Sequence, residues 1–228
     1  NIRKAVGADM RRRPERILEV LGEIRPDIAV VQEADRRFGE RHAALPTGLL
    51  GEHGWRAIPF GARPGSIGWH GNAVLIGPRV ELLAHATINL PVLEPRGAVL
   101  ADLSIEGHRL RVVGMHLDLS GLWRRRQARA ILDHLAKSRA ATPAPDTPTL
   151  MMGDLNEWRN AAGCIADFAA THKLVHTGPS FPARMPMARL DRIFASNDLV
   201  IEDAGVHRSP RASLASDHLP LWVRVRLG

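Results

Sequence analysis

The sequence lacks several features that would place it in particular classes of protein. It has a single cysteine, Cys164, and no tyrosine among its 228 residues. One cysteine excludes an internal disulfide and is typical of a reducing compartment, so we expect a cytoplasmic protein. The chain has no run of about 18 apolar residues, the length that a membrane-spanning helix needs. It also lacks a signal-peptide pattern, and any targeting segment upstream of residue 1 would lie outside this sequence.

What is present is the composition of a globular domain with an excess of arginine. Hydrophobic residues make up 45% and charged residues 24%, and no Gly/Ser-rich or charged linker divides the chain, so we expect one domain over residues 1–228. Lys and Arg number 31 against 24 for Asp and Glu, with clusters at 10–16 and 122–129. This balance favours a polyanionic partner such as nucleic acid, a phosphorylated small molecule or an anionic lipid surface. Solvated helix faces in an arginine-rich proteome explain it equally well.

Hydrophobic periodicity predicts a mixed α/β protein. Apolar residues recur at helical spacing over 17–24 and again over 123–139. Residues 27–33 form a short β-branched run that ends in polar residues, as a buried strand does at the rim of a sheet. Further runs in the middle and at the end of the chain predict strands, with a hairpin turn at 106–108. Strands that pair across long separations, with helices between some of them, indicate α/β layers.

Polar residues that bind metal or phosphate follow five of the apolar runs. Each has a simple structural explanation, such as a helix cap, an Asx-turn or a hydrogen-bonded core histidine. All of them together are less easily explained this way, because a buried carboxylate is costly unless it is paired or bound to a cation. The candidates are Asn1, Glu33, His116, Asp154, Asn156, Asp217 and His218, together with Asp191 inside an apolar run.

This set of side chains suits one kind of chemistry. Carboxylate oxygens without a cysteine cluster or paired histidines on one helix favour Mg²⁺ or Mn²⁺ over structural zinc. Asparagine, histidine and arginine can donate to a phosphoryl group, and a remaining carboxylate can orient water. The sequence therefore predicts metal-assisted hydrolysis of a phosphoester.

The order and spacing of the motifs resemble those of the endonuclease/exonuclease/phosphatase superfamily. The shared features are a Glu ending "DIAVVQE", "HL" after a strand, "GDLN", an Asp in "LDRI" and "SDHLP" near the end of the chain. The resemblance covers essentially the whole chain. It implies a fold similar to that of deoxyribonuclease I, a four-layer sandwich of two mixed β-sheets flanked by helices. It also implies that the first half of the first strand precedes residue 1.

The resemblance implies roles for the metal site and the attacking water. Glu33 is similar to the principal metal ligand of the family, and Asn1 to its asparagine at the metal and scissile phosphate. Asp217 is a further metal or acid/base candidate. Asp154 is similar to the aspartate that aligns or deprotonates water, with Asn156 beside it.

Two histidines are implied to act on the phosphate. His218 is similar to the histidine that stabilises the transition state, and Asp191 to the carboxylate that orients it. His116 is similar to a histidine that contacts a phosphate oxygen. A histidine paired with a carboxylate is kept protonated, and only that form donates to a phosphate.

Substrate identity is less sharply indicated. Abasic-site endonucleases have tyrosine at the positions of His116 and Arg192, whereas "ARLDRIF" resembles a strand of inositol polyphosphate 5-phosphatases. Candidate substrate contacts are Trp69 and His70 in a glycine-rich loop, Arg96 in the loop 93–99, and Arg124. For Trp69 the alternative is a loop anchor.

The basic composition favours a nucleic-acid phosphodiester, DNA or RNA. The alternatives are a phosphatase or phosphodiesterase that acts on a small or lipid-linked phosphoester, and a non-catalytic phosphate-binding module.

Overall fold

The computed structural model describes residues 1–35, 42–61, 65–91, 96–140 and 147–227. A short 3₁₀ turn at Arg3–Ala5 precedes the regular elements. In chain order these are α1 (Pro14–Ile24), β1 (Ile28–Val31), α2 (Thr47–Glu52), β2 (Arg56–Ala57), β3 (Ala73–Ile76), β4 (Val80–Asn89), β5 (Gly97–Ile105), β6 (His108–His116), α3 (Gly121–Ala140), β7 (Thr149–Asp154), α4 (Cys164–Ala169), β8 (Lys173–Val175), β9 (Asp191–Ala195), β10 (Val200–Val206), α5 (Pro210–Ala215) and β11 (Leu221–Arg226).

The larger sheet has six strands in the order β4-β5-β6-β7-β9-β8. β6 and β7 are parallel, and the other neighbours are antiparallel, so the sheet is mixed. The register places His116 of β6 opposite Asp154 of β7, and Asp154 opposite Asp191 of β9. Three predicted site residues therefore lie side by side at one edge of this sheet.

The second layer consists of two antiparallel pieces, β1-β3-β2 and β10-β11. Residues of β1 and β11 line a cavity of about 670 Å³, which reaches Asn1, Asp191 and His218. Residues 1–2 form hydrogen bonds with a residue just after β1 and with one in the loop before β11. The Ile2 main-chain N–H donates to the Gln32 carbonyl (3.0 Å), and the Ser216 hydroxyl donates to the Asn1 carbonyl (2.8 Å).

Three apolar clusters hold the layers together. One lies between the two β layers and includes Val99, Val112 and Ile193 from the large sheet. A second packs α3 and α4 on the outer face of that sheet, and a third packs α1 and α5 on the outer face of β1-β3-β2. This arrangement confirms the predicted four-layer sandwich, with helices on both outer faces.

The longer predicted elements are present, while short ones differ. α1 begins at Pro14 in its first turn and ends before Arg25, which is left-handed at φ 52°, and its stripe at Ile17, Val20 and Leu21 is buried. One of the apolar runs in the middle of the chain, 55–60, predicts a strand, but only its residues Arg56–Ala57 form one (β2). The helices α2 and α5 were not predicted. Each of these helices has six residues, too few for a 3.6-residue period to show. No helix in the described ranges is long and apolar enough to cross a membrane.

Candidate active site

The site forms where the ends of β6, β7 and β9 meet. β6 and β7 are parallel and end at the same edge, and the antiparallel β9 begins there. Each strand contributes its last or first residue, His116, Asp154 or Asp191, and all three are buried. His218, in the loop between α5 and β11, completes the group. The sequence rule that polar residues follow apolar strands thus holds for His116 and Asp154, while Asp191 begins its strand and His218 precedes one.

Asp154 is the centre of this group and is only 2% exposed. Its Oδ2 atom accepts a hydrogen bond from Asn1 Nδ2 at 3.0 Å. The same oxygen lies 3.5 Å from His116 Nε2 and 3.9 Å from His218 Nε2. Its Oδ1 atom accepts from the main-chain N–H of Asn156 at 3.0 Å. One carboxylate oxygen is thus fixed by the backbone while the other faces an amide and two imidazoles.

The turn after β7 depends on two unusual backbone conformations. Gly153 has φ 152°, and a Cβ there would lie 1.9 Å from the Met115 carbonyl oxygen of β6. Asn156 is left-handed at φ 51°, and its Nδ2 donates to the Leu117 carbonyl at 3.0 Å. Only glycine fits the first position, and asparagine tolerates the second. The motif "GDLN" therefore places Asp154 through its backbone geometry.

Asp191 and His218 form a buried pair behind Asp154. His218 Nδ1 donates to Asp191 Oδ2 at 2.8 Å, and the Ser180 hydroxyl donates to the same oxygen. Burial raises the pKa of Asp191, but the charge of His218 and these hydrogen bonds outweigh it and hold the pKa below its usual value. Burial lowers the pKa of His218, and the charge of Asp191 and their hydrogen bond outweigh it, so the pKa is raised. The pair favours a protonated His218 with Nε2 towards Asp154.

His116 differs from His218 in charge. Arg96 Nη1 lies 2.8 Å from its Nε2 and 3.1 Å from its Nδ1. Burial lowers the pKa of His116 to about 4, Arg96 acts in the same direction, and the nearby Asp154 only partly opposes them. Protonation of His116 is therefore disfavoured, chiefly because the ring is buried and also because a guanidinium faces it. Residues 93–95 of the Arg96 loop lie outside the described ranges.

The predicted metal ligand Glu33 lies at the end of β1 in a left-handed conformation, φ 57°. Its carboxylate pairs with the ammonium group of Lys4, which is itself left-handed at φ 55°. Its negative charge also acts to raise the pKa of His116, so it lies within electrostatic range of that ring. Gln32, the residue before it, accepts from the Asn1 main-chain nitrogen at 3.0 Å. β1 and the start of the chain thus present Asn1 and Glu33 to the same place.

One cluster in the described ranges has the spacing of a metal site, and it differs from the predicted ligand set. Ligand atoms of Asp154, Asp191 and His218 lie within 4.8 Å of one another. Glu33 and Asp217 are not in that cluster. Asp217 Oδ2 lies 3.5 Å from Arg3 Nε, and its side chain is 35% exposed. Neighbouring residues in an extended loop point in different directions, so Asp217 does not follow His218 into the site.

Trp69 and His70 lie above the start of β5. Their rings meet edge to face, with centroids 4.9 Å apart, and a Cβ on Gly97 would lie 2.8 Å from Trp69 Cδ1 and 3.2 Å from His70 Cδ2. Gly97 is opposite His116 in the sheet. Trp69 also packs against the cluster between the β layers. Pro64, the first residue of this loop, is outside the described residues. The packing of Trp69 favours the alternative that its ring anchors the loop.

Arg124 has a structural position. Its Nη2 lies 3.1 Å from Glu157 Oε2, and its Nη1 donates to the carbonyls of Asp118 and Leu119. Arg124 and Glu157 are both buried. The pair connects the start of α3 to the loop after β7. The structure thus places Arg124 behind the site wall, and a direct substrate contact stays a prediction from the sequence.

Several contacts of the site carry no signal in the sequence. Ser180 and Phe181 belong to a loop that only its prolines marked, yet Ser180 bonds to Asp191, and the Phe181 ring lies 4.9 Å from the His218 ring. Arg3 and Lys4 pair with Asp217 and Glu33. An arginine and a lysine in a sequence are most often solvated surface residues. Only their contacts with residues distant in the sequence show that these two belong to the site.

The chain has relatives in bacteria. It is 28% identical to YbhP of Escherichia coli (strain K12) over 169 residues, which are 70% of this chain and 64% of that protein. The chain thus spans just under two thirds of this relative's length.

Two solved structures share the fold. The human Nocturnin catalytic domain with bound sulfate is 21% identical, covering 98% of this chain and 90% of that one, with a TM-score of 0.74. D. rerio TDP2 in complex with a single-strand DNA product is 16% identical, with coverage of 93% and 91% and a TM-score of 0.68. Identities this low show the fold alone. Residues 1–218 match the profile of the Endonuclease/Exonuclease/phosphatase family, to which this chain therefore belongs.

Proposed function

We propose that this site hydrolyses a phosphodiester with the help of a divalent cation. The proposal is supported by the environment of Asp154 Oδ2. The Asn1 amide, His116 and His218 all lie within 3.9 Å of this oxygen. A carboxylate held among hydrogen-bond donors is the arrangement expected where water is activated beside a phosphate. A binding module would have no use for a buried, backbone-fixed carboxylate at its phosphate site, because like charges repel.

The donor set fits Mg²⁺ or Mn²⁺. Carboxylate and amide oxygens from Asp154, Glu33 and Asn1 are ligands that these hard cations prefer. Asp191 and His218 are both buried and bonded to each other at 2.8 Å, whereas Glu33 pairs with the part-exposed Lys4. We therefore assign the cation to Asp154 and Glu33, where it would replace the ammonium group of Lys4. When bound, it supplies positive charge at the scissile phosphate.

The protein side chains divide the remaining tasks. Asp154 accepts a proton from the attacking water and holds its direction. His218, kept protonated by Asp191, donates from Nε2 to a phosphoryl oxygen as charge develops there. The neutral His116 and Asn156 contact the other oxygens, and Arg96 adds positive charge behind His116.

The first test is hydrolysis of bis-p-nitrophenyl phosphate with Mg²⁺, with Mn²⁺ and with EDTA. We expect activity with metal, none with EDTA, and a loss of about 10²–10⁴-fold in Asp154→Asn, the range for removal of a general base. Asp133→Asn, an exposed carboxylate on α3, is the matched control and should keep full activity. Hydrolysis that persists in Asp154→Asn would place the reaction elsewhere.

The nature of the diester is a separate question, because several arginines make contacts within the protein. Arg16 makes two hydrogen bonds to Asp9, Arg12 donates to the carbonyls of Ala43 and Ala44, and Arg125 pairs with Asp167. A nucleic-acid substrate, predicted from composition, should therefore be tested directly with plasmid and single-stranded DNA. Nucleic-acid binding would weaken steeply with added salt.

A further inference from the structure

Most of the large apolar side chains exposed in the described part of the chain lie on segments that contact the candidate active site. Eight such residues are exposed, and the two that lie elsewhere are Leu83 on β4, at 46%, and Val200 on β10, at 51%. The other six are each 60–70% exposed, and we call them the apolar rim: Met10, Leu119, Leu122, Trp158, Met185 and Met187. Exposed apolar residues that gather at one place, unlike scattered ones, mark an interaction surface.

One side of the apolar rim is tied to the site through Asp154. The Leu117 main-chain N–H donates to the Asp154 carbonyl at 2.9 Å, and Leu119 and Leu122 follow within five residues. Trp158 comes four residues after Asp154. Its ring lies 6.4 Å from Phe181, which in turn contacts His218.

A second part of the apolar rim is tied to the site through Asp217. The hairpin that carries Met185 and Met187 is closed by the bridge between Phe181 and Ala188. The Ala183 N–H of this hairpin donates to the Asp217 carbonyl at 2.7 Å. Met10 contacts Arg3, which pairs with Asp217. The apolar rim is therefore carried by segments that contact Asp154, Asp217 and His218.

Three exposed arginines alternate with this apolar surface. Arg159 follows Trp158, and Arg184 and Arg189 flank Met185 and Met187. In the described part of the chain none of these three has an ion-pair partner, whereas Arg3 and Arg125 do. The surface around the mouth thus combines apolar side chains with uncompensated positive charge.

We infer that the apolar rim and its arginines rest on an anionic lipid bilayer, so that the active site faces a phosphoester in the headgroup layer. Tryptophan and aliphatic side chains with flanking arginines suit the boundary between headgroups and acyl chains. The arginines meet anionic lipid phosphates. The identity of the substrate rests on the proposed function, while the docking itself does not.

Two other occupants fit the same surface less well. Nucleic-acid bases stack on aromatic rings, but five of the six residues of the apolar rim are leucine or methionine. A second copy related by a twofold axis would bring the same surface against itself. The unpaired arginines of the two copies would then face each other. An anionic bilayer offers acyl chains to the apolar side chains and phosphates to the arginines.

The test is co-sedimentation of the full chain with vesicles made of equal parts phosphatidylglycerol and phosphatidylcholine, compared with pure phosphatidylcholine. We expect binding to the anionic vesicles and about tenfold weaker binding of Met185→Ser/Met187→Ser, because that variant loses buried apolar area. Leu83→Ser/Val200→Ser makes the same kind of change outside the apolar rim and should bind like the unchanged protein. Arg184→Ala/Arg189→Ala should also bind more weakly.

Asp154→Asn separates docking from hydrolysis and should bind vesicles normally. If that protein binds while the unchanged protein hydrolyses no phosphoester, the proposed function fails and the docking stands. Equal vesicle binding by the rim variant and its control would overturn the docking. It would also be overturned if the methionine substitutions abolished single-stranded DNA binding or self-association and no vesicle binding were detected. Hydrolysis of bis-p-nitrophenyl phosphate by the methionine variant should stay unchanged.

Discussion

At the scale of single residues, two buried ion pairs near the site serve different purposes. Asp191 and His218 lie in the site and set the charge of the imidazole that faces Asp154. Arg124 and Glu157 lie behind the site wall and connect α3 to the loop after β7. Removing one member of a buried pair leaves an uncompensated charge. The two pairs therefore differ in which measurement should respond when one member is replaced.

Glu157→Ala should destabilise the protein by about 3–5 kcal/mol, because Arg124 would stay buried without its carboxylate. The free energy of unfolding in urea measures this. Arg129, on the same helix as Arg124, makes an exposed pair with Asp167 of α4. Arg129→Ala removes that pair and should change stability by about 0–1 kcal/mol. An Arg124→Met variant that keeps its stability and loses hydrolysis would contradict the structural role and favour the substrate contact predicted from the sequence.

The Asp191–His218 pair predicts a pH dependence of stability in the metal-free protein. The pKa of His218 is raised above its usual 6.5, so its contribution is full below that pH and is lost as the pH rises through the raised pKa. The pKa of Asp191 lies below its usual 3.8, so its contribution is lost as the pH falls below that value. In EDTA, the difference in unfolding free energy between the unchanged protein and His218→Gln should be largest between these two values. A difference that grows towards pH 9 would argue against the pair.

At the scale of elements, the segment after β7 depends on close contact between two strands. Gly153 lets β7 approach β6 so closely that a Cβ would lie 1.9 Å from a carbonyl oxygen. Asp154 follows directly, and its neighbours then turn through the left-handed Asn156. The positions of the carboxylate and of the strand are therefore coupled.

Gly153→Ala should destabilise the fold by about 3 kcal/mol or more, since the clash is with backbone that cannot rotate away. Chemical denaturation measures the loss. Gly22→Ala in α1 is the matched control, because an added Cβ there meets nothing within 4 Å. That change should stabilise the protein by about 0.5–1 kcal/mol, as alanine favours a helix. Equal behaviour of the two variants would rule out the close approach.

The sequence predicted the elements and residues that depend on local patterns. β1 and β7 could be predicted because apolar runs ended in polar residues, and β9 because apolar residues flank Asp191. The register then brought His116, Asp154 and Asp191 together. The lowered pKa of His116 could not be predicted, since it depends on the burial of the ring and on Arg96, which comes from the loop before β5. The direction of Arg124 depends on how α3 is rotated against the sheet. The role of Ser180 could not be predicted either, because it depends on a hydrogen bond to Asp191, which lies eleven residues later in the sequence.

At the scale of the whole molecule, the sandwich places the candidate site residues at one end of its sheets. The large sheet supplies Asp154, Asp191 and His116, while the second layer and the start of the chain supply Glu33 and Asn1. Loops from both layers then surround the mouth with the apolar rim. The fold thus combines a polar, buried centre with an apolar entrance, which is the basis for both proposals.

The central claim is that a divalent cation and a phosphate bind together at Asp154. The most direct measurement is a crystal structure of the protein with Mn²⁺ and inorganic phosphate, with anomalous scattering recorded at the manganese edge. We predict an anomalous peak bound by Asp154 and Glu33, with a phosphate oxygen within hydrogen-bond distance of His218 Nε2. A map without manganese at these carboxylates, or with manganese and phosphate bound elsewhere, would contradict the account.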